Sequence, residues 1–167
     1  MRLSGSLVLT LTAVFVVVQP AQLIAASAST PLNVTASVTN NCSISTVSLA
    51  FGSYDPIGTH ASSPLDGTGT VTIACTKGAA VTVGLGLGSN ASGTTRRMAN
   101  GTDFLTYEIY KESSRTNIWG NSGADLLDGG SAPSKAPRSF STFGRVPSGQ
   151  DVGGGNYTDT VVATVNF

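Results

Sequence analysis

Along most of the chain, apolar residues recur at every second position, and the runs in which they do so are short. Leu32, Val34, Ala36 and Val38 fall on one side of an extended segment, with Asn33, Thr35 and Ser37 on the other. That period of two marks a strand half-buried on one face. Asn40-Asn41 interrupts it. Cys42, Ile44, Val47, Leu49 and Phe51 follow, and a change of parity between Ile44 and Val47 predicts a bulge or break there. Phe51 to Pro64, broken by Gly52, Pro56 and Gly58, reads as a loop. Gly69 to Cys75 is a strand with Val71, Ile73 and Cys75 facing one way. After a Lys77-Gly78 turn, Val81, Val83, Leu85 and Leu87 form the next. Ser89 to Gly101 reads as a polar, glycine-rich loop, Phe104 to Lys111 as a strand and Ile118-Trp119 as a short strand. Gly120 to Pro137 reads as a long irregular loop. Ser139 to Val146 is a further strand and Asp151 to Gly155 a turn. Tyr157 to Phe167 is a long last strand with Val161, Ala163, Val165 and Phe167 on one face. No segment beyond about ten residues carries a helical apolar period. Short strands separated by turns predict an all-β, antiparallel β-sandwich.

The two ends do not balance. Six main strands are read after Asn41, where an immunoglobulin-like sandwich has about seven. The apolar alternation runs to Phe167, while Leu32 to Val38 has no evident hairpin partner. One strand is therefore expected to be missing on the C-terminal side and one spare at the N-terminal side. A missing strand leaves apolar side chains and a row of backbone groups without partners. Residues 29–38 either pair inside their own domain as a first strand or fill the gap in another copy by β-strand addition. The pattern leaves both open.

Composition narrows the setting. The chain has 167 residues, room for one domain, with nine Lys and Arg against nine Asp and Glu. With no basic block, nothing predicts binding to nucleic acid or to an anionic membrane surface. Arg2, the apolar stretch Leu7 to Val18 and the small residues Ala26-Ser27-Ala28 fit an export leader cleaved after Ala28. The apolar run is shorter than the roughly 18–20 residues that a membrane span needs. No insertion into a membrane is expected of the exported remainder, Ser29 to Phe167. In an oxidising compartment the two cysteines, Cys42 and Cys75, are most simply a disulfide. It would close a loop of about 34 residues, worth roughly 3–4 kcal/mol in the chain-entropy model. The two cysteines and the distant His60 are too few for a metal site.

No constellation for catalysis is found, and no cofactor is expected. His60 is the only histidine, and no Gly-x-Ser-x-Gly elbow accompanies it. Asp103 and Glu108 can be imagined as a glycosidase pair, but scattered surface acids are the better reading. Gly84-Leu85-Gly86-Leu87-Gly88 lacks the Lys-Ser/Thr of a phosphate loop. Tyr54, Tyr107, Tyr110, Trp119 and Tyr157 are read as packing residues rather than a sugar platform.

Local signatures accumulate in order. Phe51-Gly52-Ser53-Tyr54-Asp55-Pro56 follows the first cysteine, and Gly67-Thr68-Gly69 leads into Val71-Thr72-Ile73-Ala74-Cys75. Arg97-Met98 precedes Leu105-Thr106-Tyr107-Glu108-Ile109-Tyr110 and Trp119-Gly120. Phe143-Gly144-Arg145-Val146-Pro147, Gly149-Gln150 and Gly155-Asn156-Tyr157-Thr158-Asp159-Thr160-Val161 close the series. Together these resemble the spore coat protein U domain family, which includes subunits of archaic, Csu-type chaperone–usher pili. The resemblance covers Cys42 to Phe167. It implies an incomplete immunoglobulin-like sandwich with a disulfide. It also implies other pilus subunits, a periplasmic chaperone and an outer-membrane usher as partners, and assembly by donor-strand exchange at the surface of a Gram-negative cell. Residues 29–40 would then be the donor extension, with Leu32, Val34, Ala36 and Val38 as plugs. Val47, Leu49, Val161, Val165 and Phe167 would line the acceptor groove. With one domain and a donor-like segment, the chain resembles a stackable rod or minor subunit serving adhesion and biofilm formation. A secreted spore or cell coat protein and a carbohydrate-binding module are the alternatives.

Overall fold

The computed structural model describes residues 15–22 and 24–167, in two units, Met1–Ala36 and Ser37–Phe167. The described residues of the first unit form neither helix nor strand, and Phe15 to Val18, Ile24, Leu32 and Val34 are exposed. Residues 1–14 and 23, which hold most of the expected leader's apolar run, lie outside the described residues. Among the described residues no helix is long and apolar enough to cross a membrane.

The second unit is all-β. Its strands are β1 (Cys42–Ala50), β2 (Leu65–Cys75), β3 (Ala80–Leu85), β4 (Arg96–Asn100), β5 (Asp103–Tyr110), β6 (Leu127–Ser131), β7 (Arg138–Val146) and β8 (Ala163–Asn166). They form a five-stranded sheet in the order β1-β2-β7-β5-β4 and a three-stranded sheet in the order β6-β3-β8. Every ladder is antiparallel.

Alternation decides which faces meet. Val71, Ile73 and Cys75 of β2, Val81, Val83 and Leu85 of β3, and Leu105, Tyr107 and Ile109 of β5 are all buried, with their in-between neighbours less so except Gly84, which is buried as well. Trp119 is wholly buried among them, and its indole N–H donates to Val83 O at 2.9 Å. A polar indole group therefore enters the core without losing its hydrogen bond. Two glycines shape the end of the sandwich. Gly67 on β2 pairs with Gly144 on β7, and a Cβ on Gly144 would lie 2.7 Å from both Leu49 and Phe51. The bare backbone leaves a hollow that these two side chains fill. Phe51 then meets Tyr107 edge-on, with ring centroids 5.9 Å apart.

Several boundaries differ from the sequence reading. The register slip in β1 lies between Val47 and Ala50, not between Ile44 and Val47, because Thr46 still pairs in register with Val71. The expected loops 89–101 and 120–137 contain β4 and β6. Neither strand alternates in polarity, and each is set by pairing with its neighbour. Ile118 makes only a single bridge to Tyr110. The expected last strand is formally reduced to Ala163–Asn166, and β2 starts earlier, at Leu65. The described residues form eight strands after Asn41, not six, so a missing strand does not follow from the count. Residues 29–41 form no strand.

Candidate functional site

The sandwich is closed along one side and open along the other. On the closed side the segment leading into β8 crosses from one sheet to the other. Thr158 exchanges two backbone hydrogen bonds with Ala99 of β4 (2.9 and 3.1 Å), and farther on Val162 O accepts from Gly86 N–H beyond the end of β3 (2.9 Å). Arg96 of β4 bolts this seam. Its side chain has no exposed surface, pairs with Glu108, and donates to the carbonyls of Leu85 (2.8 Å), Gly86 (2.8 Å) and Trp119 (2.8 Å). A buried charge is tolerated here because its donors meet a carboxylate and backbone oxygens.

Asp159 is the second bolt. Its carboxylate accepts from the Tyr107 hydroxyl at 2.7 Å and from the backbone and side-chain N–H groups of Asn90 at 3.1 and 3.2 Å. A Cβ on Gly88 would run into this carboxylate, so the glycine there leaves it room. Burial first, and then the hydrogen bond to Asp159, push the Tyr107 phenol well above its ordinary value.

On the open side, β1 is the edge of the larger sheet and β8 the edge of the smaller. Between them lies a cleft of about 390 Å³. Its walls include Thr46 to Leu49 of β1 and Thr158 to Val161 before β8. Val71, Leu85, Ile109 and Ala163 give it an apolar interior, and Tyr107, Thr142 and Asp159 supply polar groups. A second hollow of about 760 Å³ shares Leu49, Phe51, Met98, Tyr157 and Thr158 with it and continues to the glycine run 153–155.

The backbone of the β8 wall is a free ladder. The carbonyls of Thr158, Thr160 and Val162 accept from Ala99, Ser89 and Gly86, on the side of β3 and β4. In an antiparallel pair alternate residues bond to the same neighbour. The N–H and C=O groups of Asp159, Val161, Ala163 and Val165 therefore point the other way, toward the cleft edge. Ala163 and Val165 stand opposite Leu85 and Val83 as the non-hydrogen-bonded pairs of the β3 ladder, since the parity set by Gly86 and Val162 falls on their neighbours. An edge with unpaired groups beside an apolar cleft is a template for another strand.

Each residue expected at the site can be placed. Cys42 and Cys75 form a disulfide and are the first pair of the β1–β2 ladder. Val47 and Leu49 line the cleft, Val47 largely exposed and paired with Thr70, Leu49 packed on the core. Val161 lines the cleft too. Val165 packs on the core opposite Val83, and Phe167 lies beyond β8, half exposed. Leu32, Val34 and Val38 are exposed, as is Ala36. The sequence reading missed Thr46, Tyr107, Thr142 and Asp159 as cleft residues. The run Asn156-Tyr157-Thr158-Asp159-Thr160, a carboxylate set among strand formers, was the available signal for the last.

The residues weighed for catalysis have other partners. His60 stacks on Tyr54, and its Nδ1 accepts from the Asp55 N–H at 2.9 Å. Asp103 accepts from Gly153 N–H at 3.1 Å, while Glu108 holds Arg96. Among the aromatic residues read as packing residues, Trp119 and Tyr107 are buried in the core.

These features define a class: an antiparallel, disulfide-linked β-sandwich with a cleft between two edge strands. A family model described as the Spore Coat Protein U domain matches residues 28–164. Protein U of Myxococcus xanthus is 40% identical over 173 residues, covering 95% of this chain and 94% of that protein. The chain belongs to the Spore Coat Protein U domain family. Its fold is similar to one chain of a crystal structure from Acinetobacter baumannii. That structure is the CsuC–CsuE chaperone–tip adhesion subunit pre-assembly complex of archaic chaperone-usher Csu pili. The TM-score is 0.56 at 27% identity, over 78% of this chain and 40% of that one. This chain therefore spans about two fifths of the solved chain's length.

Proposed function

We propose that this protein is a structural subunit, rod or minor, of an archaic chaperone–usher pilus, polymerising by donor-strand exchange. The observation that carries the reading is the cleft between β1 and β8 with its unused backbone groups. An alternating apolar segment, Leu32 to Val38, precedes the domain without forming a strand. Residues 1–28 act as the export leader, 29–40 as the donor extension and 41–167 as the acceptor domain. Leu32, Val34, Ala36 and Val38 of one copy enter the cleft of the next and pair with the outward groups of Asp159 to Val165. Val47, Leu49 and Val161 close over them, and Val165 and Phe167 support the far end.

Magnitudes permit this. Burying the four side chains gives roughly 5–8 kcal/mol. Up to about eight ladder bonds add about 1 kcal/mol each. Ordering seven residues opposes this with roughly 7–14 kcal/mol. The balance is a few kcal/mol in favour, so an empty cleft needs a substitute before assembly. A periplasmic chaperone lending a strand supplies it, as the similarity to a subunit of a chaperone complex suggests, and an outer-membrane usher would release the fibre to the cell surface. The role is structural rather than enzymatic, in adhesion and biofilm formation by a Gram-negative cell.

A fragment from Asn41 to Phe167 is to be melted with and without a peptide spanning Ser29 to Asn40. The expected result is a labile domain whose melting temperature the peptide raises sharply. A domain that melts cooperatively at high temperature and ignores the peptide would overturn the mechanism. The family's description favours a second reading, a coat protein on a spore or cell surface. Electron microscopy of the secreted protein separates the two, since only the first requires fibres.

A further inference from the structure

One strand serves both ends of this molecule. At its start, β1 receives the extension; at its far end, Thr46 to Leu49 form a wall of the cleft. A pull on the extension enters the domain at Cys42. Ladder hydrogen bonds loaded from one end break one after another, because each is weak alone. Peeling β1 from β2 would therefore start at the Cys42–Cys75 pair and run toward the cleft wall. Loss of that wall would free whatever strand the cleft holds.

The first pair is, however, covalent. The residues before it are also gripped. Thr76 donates its N–H to Asn41 O at 2.9 Å, and its hydroxyl accepts from Asn41 N–H at 3.0 Å. Behind this grip stands β2, which lies inside its sheet and pairs with β7 from Leu65 to Ile73. We propose that the Cys42–Cys75 bond, seated by Thr76, is a tension clamp. It passes a pull on the N-terminal extension into β2 and keeps that pull off the cleft wall. The mechanical role rests on the fibre reading, in which every subunit is loaded through its extension.

The test is single-molecule pulling on one copy of residues 29–167, so its outcome does not depend on whether copies assemble. Handles at Ser29 and Phe167 load the extension against β8. Handles at the exposed Gly101 turn and Phe167 load the domain without it. Each tether is pulled oxidised, then again after reduction in place, which needs no variant that must fold without the bond. Cys42→Ser with Cys75→Ser provides a second, permanently open form. Along the extension, the force of first rupture should fall by more than half once the bond is open, and along the Gly101 direction it should change little. An equal fall in both directions would make the bond a general staple and overturn the clamp. So would an unchanged force along the extension. Failure of the peptide to stabilise the Asn41–Phe167 fragment would overturn the fibre reading alone.

Discussion

At the scale of single residues, the cleft wall hangs on a carboxylate. Asp159 faces three donors, two from Asn90 and one from Tyr107. A carboxylate offers acceptors to all of them, whereas an amide must turn its NH₂ toward one. Asp159→Asn, nearly identical in shape, should therefore destabilise the domain by about 1–3 kcal/mol. Urea unfolding checks this, and an unchanged midpoint would mean the wall is held elsewhere. Tyr107 gives a prediction in pH. Its phenol is raised in the fold by burial and by Asp159, while the unfolded chain ionises near pH 10 or so. A raised folded value means the stabilisation is complete below about pH 10 and is lost as pH rises through and beyond it. Tyr110 and Tyr157 are shifted the same way, chiefly by burial, so they share the effect. Tyr107→Phe should flatten the alkaline fall in melting temperature without abolishing it. A fall as steep as that of the native protein would place the cause in the other two tyrosines.

At the scale of elements, β8 is read best from its backbone. Ala163 faces Leu85 in a non-hydrogen-bonded pair of the β3 ladder, so its N–H points to the open edge, whereas Thr164 and Gly84 form a hydrogen-bonded pair. Proline is tolerated where the missing N–H faces no partner and breaks a ladder where it does. Ala163→Pro should leave the fold in place and abolish binding of the Ser29–Asn40 peptide. Thr164→Pro should unfold the edge itself. Circular dichroism and peptide titration distinguish them, and peptide binding by Ala163→Pro at native affinity would remove the strand-pairing model. The sequence made β2, β3 and β5 legible because each carries an alternating apolar face into the core, whereas β7 buries Thr142, Gly144 and Val146 and shows less of that pattern. The sequence did not reveal β4, whose Arg96-Arg97-Met98-Ala99-Asn100 has no such face and whose buried Arg96 is satisfied only by three distant carbonyls and Glu108. Nor did it reveal β6, rich in glycine and held by β3. Val47 lines the cleft as the alternation implies, sharing the face of Thr70, but Thr46, on the face of Val71, lines it too, and the register slips only after Val47. A bulge moves parity by one residue, and its place depends on the partner strand, which local pattern does not contain.

At the scale of the whole molecule, charge is conspicuous by its scarcity where copies would meet. The chain's formal net charge is zero, and residues 29–40 include no Asp, Glu, Lys or Arg. Among the cleft residues the one ionisable carboxylate is Asp159, already engaged by its three donors. Contact between extension and cleft is thus a matter of apolar burial and backbone pairing. Electrostatic steering, which speeds association far above the unaided 10⁵–10⁶ M⁻¹s⁻¹ or so, has nothing to act on. Raising NaCl from about 0.01 to about 1 M shortens the screening length from about 30 to about 3 Å. Over that range the rate at which the Ser29–Asn40 peptide enters the Asn41–Phe167 domain should change less than about threefold, since no counterions are displaced. Stopped-flow fluorescence of a labelled peptide measures it. A steep fall with salt would show that charged surfaces outside the cleft guide the encounter, and the docking face would then have to be sought beyond β1 and β8.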